Sequence, residues 1–126
     1  MNTSKIINNV NDVYILMKAY RRVLGISQRK LAKNLLCGQA TVCRYETKQL
    51  KYLSEYEQER ILYNFSIDFN ERVKERGNKV TKNLFCINVC AAYLELTKDK
   101  NYRDKNDIVN LIVELSEDLI KCRAVG

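Results

Sequence analysis

The sequence predicts an all-α fold, and three observations carry that expectation. Proline is absent and glycine occurs four times in 126 residues, so long loops and Pro-rich linkers are disfavoured. Apolar side chains recur at helical spacing, and capping and stop residues punctuate the pattern at intervals suited to short helices. Hydrophobic residues make up 46% of the chain and charged residues 29%, enough to bury a core and too apolar for wholesale disorder. Val13, Leu16, Met17, Tyr20 and Leu24 form the first stripe, with Asn11 as its expected cap and Gly25 as its stop. Ser27 is placed to cap a second helix over 28–35, whose inner face is Leu31, Ala32 and Leu35. A break at Leu36-Cys37-Gly38 leads to a third helix over 39–46 with Val42 and Tyr45 pointing inward. Ser54 with Glu57 three residues on reads as a capping box, opening a fourth helix through about Phe65. Beyond it the pattern predicts a short helix over 68–76 on Phe69 and Val73, a stop at Gly77-Asn78 and a long apolar helix over 81–97. A polar turn over 98–104 and a last helix over 105–122 complete the chain.

Composition excludes several function classes. The chain has no histidine, which removes Ser-His and Cys-His nucleophile pairs and every His-containing metal site. Neither a phosphate-cradling Gly loop nor a nucleophile with its general base is present, so the chain is not expected to be an enzyme, and no cofactor is expected. Cys37, Cys43, Cys86, Cys90 and Cys122 are odd in number and lack framework spacing. Buried structural thiols in a reducing cytoplasm are therefore expected rather than disulfides or a metal site. No apolar run approaches the roughly 20 residues of a membrane span, and the N-terminus MNTSKIINNVND has no signal-peptide core.

Charge points to a partner. The net +7 is concentrated in residues 1–65, with 11 basic and 5 acidic side chains, whereas 66–126 hold 11 and 10. Residues 18–51 carry nine bases against one acid, Glu46, the footprint of a polyanion site.

The string GISQRKLAKNLLCGQATVCRYE resembles the helix-turn-helix of the phage repressor and Cro (XRE) family, and the resemblance covers residues 10–66. It rests on Gly25-Ile26-Ser27-Gln28, Leu31-Ala32, the packing positions Leu35, Cys37, Val42 and Tyr45, and Arg44-Tyr45-Glu46. It implies a lambda-repressor-like DNA-binding domain over 1–66, a salt bridge between Arg21 and Glu46, and a DNA-backbone contact from Gln28. The family's turn glycine is replaced by Leu36, with the glycine displaced to Gly38. Left-handed backbone at a leucine costs about 1–2 kcal/mol, so a distorted turn or a shifted start of the next helix is expected.

Helix geometry gives the reading face independently. At about 100° per residue, Gln39, Ala40, Cys43 and Arg44 fall within an arc of roughly 140°, opposite Val42 and Tyr45. Such a helix has the size and chemistry to enter a DNA major groove, where glutamine pairs with adenine, arginine with guanine and alanine with a thymine methyl. Cys43 lies beside them without an assigned contact. Arg29, Thr41, Lys48, Lys51 and Tyr52 complete the expected set of DNA-backbone neighbours. Tyr14, Tyr20, Tyr45, Tyr52, Tyr56 and Tyr63 among the bases would also suit stacking on single strands, but Tyr20 and Tyr45 fall on core stripes.

Residues 67–126 form the expected helical dimerisation region. Ile108, Val109, Leu111, Ile112, Val113, Leu115, Leu119 and Ile120 cover more of the last helix than one neighbour buries. A homodimer through 81–122 is the preferred solution, and packing of the two helices back onto the N-terminal domain is the alternative. The expected function is a dimeric, cytoplasmic repressor of a phage, plasmid or bacterial operon that binds double-stranded DNA, with any small-molecule effector unidentified. The rival is a protein-binding inhibitor on the same scaffold, as in phage anti-CRISPR proteins that resemble it.

Overall fold

Among the described residues seven helices form and no strand, as the all-α expectation requires. They are α1 (Thr3–Asn8), α2 (Val13–Leu24), α3 (Gln28–Asn34), α4 (Gln39–Glu46), α5 (Glu55–Glu75), α6 (Lys79–Leu96) and α7 (Tyr102–Val125). The computed structural model describes residues 3–47, 51, 53–98 and 102–125. None of these helices is long and apolar enough to cross a membrane.

The caps follow the sequence at most ends. Ser27 Oγ accepts the Lys30 N–H at 3.1 Å. Ser54 Oγ accepts the Glu57 N–H at 3.1 Å and donates to the Glu57 carboxylate at 3.3 Å. Asn78 Oδ1 accepts the Thr81 N–H at 3.0 Å, starting α6 two residues before the expected 81. Asn11 is not the cap of α2. Asp12 occupies that position, and its side chain makes no capping bond. Gly25, at φ +67°, closes α2 as expected, its N–H and that of Ile26 returning to the carbonyls of Arg22 and Arg21.

The turn after α3 uses the same closure without a glycine. Leu36 has φ +58°. Its N–H reaches the Lys33 carbonyl at 3.3 Å, and the Cys37 N–H reaches Ala32 at 3.0 Å. These are the paired bonds that close a helix through a left-handed residue. The expected distortion therefore does not occur: the backbone keeps the turn, and the leucine bears the strain. Its side chain is 70% exposed, so little burial would be lost with it. Leu36→Gly is expected to raise stability by about 1 kcal/mol, read as a higher urea midpoint with an unchanged slope.

α5 corrects the expected break after Phe65. It runs unbroken from 55 to 75, through the division expected between 66 and 67. Ile61, Phe65, Phe69 and Val73 continue one buried row across that point. Ser66 turns its hydroxyl back to the Leu62 carbonyl at 3.0 Å, and Asp68 is buried and bonded to Tyr20, so neither interrupts the helix before Gly77. α1 was not anticipated; Ile6, Ile7 and Val10 are buried, and the helix packs on α5. α7 extends the expected 105–122 at both ends.

One core joins both halves. α2 packs along α6, and α6 packs in turn on α7. The last two helices run antiparallel, with Lys79 paired to Asp118 at 3.8 Å and the Asn83 amide donating to the Leu115 carbonyl at 3.4 Å. At the centre Tyr20 of α2 stacks on Phe69 at 5.0 Å and meets Phe65 edge-on at 5.2 Å, both from α5, and Phe85 of α6 edge-on at 6.3 Å. Within the chain, α6 thus packs on the N-terminal helix α2.

The thiols divide. Cys86 and Cys90 share the buried face of α6, as their spacing predicts, whereas Cys43 is exposed, Cys37 is half-buried, and the Cys122 side chain lies outside the described residues. Burial pushes Cys86 up to about 11 and Cys90 up to about 12. Native protein is expected to alkylate at Cys43 at neutral pH and at Cys86 and Cys90 only after unfolding, which mass spectrometry reads peptide by peptide. A raised acid pKa favours the fold while the thiol is neutral, so that stability is fully present below the ordinary 9.0 and is lost as pH rises towards 12.

Candidate nucleic-acid interface

The candidate interface is built on α4, whose back is fixed by packing and by one buried carboxylate. Val42 is fully buried and Tyr45 is 7% exposed, the inward pair that the spacing predicts. Burial pushes the Tyr45 phenol above its ordinary value, so this tyrosine is neutral packing rather than a stacking platform. Glu46 at the end of the helix receives Arg21 through Nε at 2.9 Å and Nη2 at 3.0 Å, a two-pronged pair from α2. Its hydrogen bond to Glu46 is the main cause raising the Arg21 guanidinium above its ordinary value. Arg21 also reaches the Ile26 carbonyl at 3.2 Å, tying in the link between α2 and α3.

Gln28, expected at the DNA backbone, makes a contact within the chain. Its side-chain nitrogen donates to Glu46 Oε1 at 3.1 Å, so the amide joins the Arg21–Glu46 pair. Gln28 is the first residue of α3, and the strong acceptor at the end of α4 is within its reach. One carboxylate therefore registers α2, α3 and α4 together, a convergence that residue spacing alone does not reveal.

The front of α4 carries the four residues predicted to read bases. Gln39, Ala40, Cys43 and Arg44 are all exposed, on the side away from Val42 and Tyr45. Gly38 begins the helix in extended conformation and offers no side-chain cap. At the other end the Thr47 hydroxyl donates to the Cys43 carbonyl at 2.7 Å. Arg29 and Lys51 are exposed. Thr41 is set further back, on the wall of a cavity of about 210 Å³ that it shares with Cys37, Gly38, Glu57 and Arg60. Lys48 and Tyr52 lie outside the described residues.

The turn is braced from α5, a support absent from the sequence reading. Arg60 donates to the Leu36 carbonyl at 2.9 Å and Asn64 to the Leu35 carbonyl at 3.0 Å. These are the carbonyls left open at the end of α3. Among the described residues no group of three or more potential ligands is arranged to hold a metal ion.

A second surface lies on the far helices. Val80 and Leu84 of α6 and Val109, Val113 and Ile120 of α7 are 39–66% exposed. A groove of about 290 Å³ opens between Val80, Leu84, Ser116, Leu119 and Ile120. α7 buries Ile108, Leu111 and Leu115 inward, and Val109, Val113 and Ile120 are the part of the wide stripe left exposed in a single chain. Comparison with protein-family models, with curated proteins and with solved structures finds no match to this chain.

Proposed function

We propose that the chain is a sequence-specific, double-stranded DNA-binding transcriptional regulator, acting as a dimeric repressor, with α3 and α4 as its helix-turn-helix. One observation carries the reading: a short helix whose back is locked by Val42, Tyr45 and Glu46 presents Gln39, Ala40, Cys43 and Arg44 outward. That helix lies within the stretch holding nine bases and one acid. Gln39 reads adenine through its amide, Arg44 reads guanine O6 and N7, and Ala40 lies against a thymine methyl. Arg29, Lys51 and Thr41 supply the charge and hydroxyl that settle the backbone phosphates, and Lys48 and Tyr52 flank them in sequence. The uncovered α6–α7 face packs on its copy across a two-fold axis, setting two reading helices on half-sites about 34–36 Å apart.

Titration of duplex DNA at increasing salt tests the class of function. Phosphate contact predicts a linear fall in log affinity with log salt, with a slope near −0.9 per phosphate neutralised. Binding that ignores salt, or co-purification with a nuclease and no preferred site, would favour the protein-binding inhibitor. Val113→Glu is expected to convert dimer to monomer in dilute-solution sedimentation and to weaken binding to a palindromic site far more than to a single half-site.

A further inference from the structure

The outer side of α5 carries a stripe that faces away from the core, and its Arg60 also braces the turn after α3 through the Leu36 carbonyl. Tyr56, Arg60, Tyr63, Ile67, Asn70 and Lys74 follow one another at intervals of four, three, four, three and four residues. At about 100° per residue they lie within an arc of roughly 80°, directly opposite the buried row of Ile61, Phe65 and Phe69. Tyr56 is 73% exposed, Tyr63 67% and Ile67 41%, and the polar members are exposed as well. Alternating steps of three and four give the seam by which two helices pack along their length. Exposed tyrosine and arginine are the residue types that carry binding energy at protein interfaces.

We propose that this stripe is a homotypic contact, in which α5 of one copy packs antiparallel on α5 of a second copy across a two-fold axis. Charge decides the orientation. A parallel pair would set Arg60 on Arg60 and Lys74 on Lys74, like on like in a closed seam. Antiparallel, about an axis midway between Tyr63 and Ile67, Tyr63 meets Ile67 of the second copy. Arg60 then meets Asn70, with Glu71 one position beyond, and the Tyr56 ring meets the Lys74 ammonium. Each of these contacts occurs twice, as an isologous interface requires.

The seam runs from 56 to 74, about 27 Å at 1.5 Å per residue. One helix pair of that length makes a small interface, so the association is weak in dilute solution. Where copies are held side by side on neighbouring DNA sites, a consequence that rests on the reading above, the contact makes occupation cooperative.

Sedimentation over a wide concentration range, without DNA and in a Val113→Glu background that removes the α6–α7 association, tests the proposal separately from DNA binding. Tyr63→Ala with Ile67→Ala is expected to weaken self-association about tenfold or more while circular dichroism stays unchanged. Glu71→Lys is expected to weaken it severalfold, and Arg60→Glu combined with Glu71→Lys to restore it, because the antiparallel pairing brings those two side chains together. A protein that stays monomeric throughout, or an association that none of these substitutions changes, overturns the proposal.

Discussion

Replacing Tyr20 by alanine is expected to bring the chain to the edge of unfolding. Its ring touches Phe65, Phe69 and Phe85, and it is fully buried. Removing an aromatic side chain from such a core costs about 3–5 kcal/mol, more where neighbours cannot collapse into the space, and rings fixed on two separate helices cannot. The hydroxyl adds a second loss. It donates to Asp68, a carboxylate on α5 that is 6% exposed. Burial, followed by the hydrogen bond to Asp68, holds the phenol protonated well above its ordinary range. Arg72 lies 3.9 Å from the same carboxylate, with its Nε buried and without a hydrogen-bond partner, so it is poorly placed to substitute for the phenol. Tyr20→Phe isolates this polar contribution, at about 1–3 kcal/mol for a stranded buried acceptor. Tyr20→Ala is expected to lose about 5 kcal/mol, comparable to the whole stability of a marginal domain. Urea unfolding followed by far-UV circular dichroism compares the two; equal losses would mean that the aromatic cluster contributes nothing beyond the hydroxyl.

The second large effect is expected at Glu46. Its side chain is 1% exposed and that of Arg21 18%, so Glu46→Ala strands a guanidinium and the Gln28 amide in a nearly closed site. Loss of one partner of a buried pair costs about 3–5 kcal/mol, and the remaining exposure of Arg21 places this case near 3 kcal/mol. Glu46→Gln keeps an acceptor for Arg21 and is expected to lose less. Because the carboxylate registers three helices, DNA affinity should fall further than stability alone explains when both are measured well below the unfolding temperature. Unchanged affinity in a folded Glu46→Ala protein would show that α4 is held by Val42 and Tyr45 alone.

What was legible in the sequence was local. Ser27, Gly25 and Ser54 act through neighbours a few residues away, so the starts and stops they signal survive folding. Val42 and Tyr45 against Gln39, Cys43 and Arg44 is a one-helix pattern, and it too is found where the spacing put it. α1 was missed because Ile6, Ile7 and Val10 make too short a stripe to stand out before the α5 surface that buries them is known. The unbroken course of α5 was missed because a polar Ser66–Asp68 stretch reads as a boundary. Only the fold reveals that Asp68 is buried against Tyr20. The Gln28 bond to Glu46 and the Arg60 brace on Leu36 connect residues 18 and 24 positions apart; no local periodicity encodes them. The outer stripe on α5 becomes visible only once the opposite face is known to be filled.

The central claim is that α4 reads DNA sequence, and selection of bound duplexes from a random library, run in parallel on the native chain and on Gln39→Ala with Arg44→Ala, tests it most directly. The native chain is expected to enrich a two-fold symmetric motif with half-sites one helical turn apart. The double variant should keep salt-dependent binding to duplex DNA and lose the preference at the adenine and guanine positions, each worth about 1–3 kcal/mol of discrimination. Recovery of the same motif by both proteins, or of no motif by the native chain, would contradict the account.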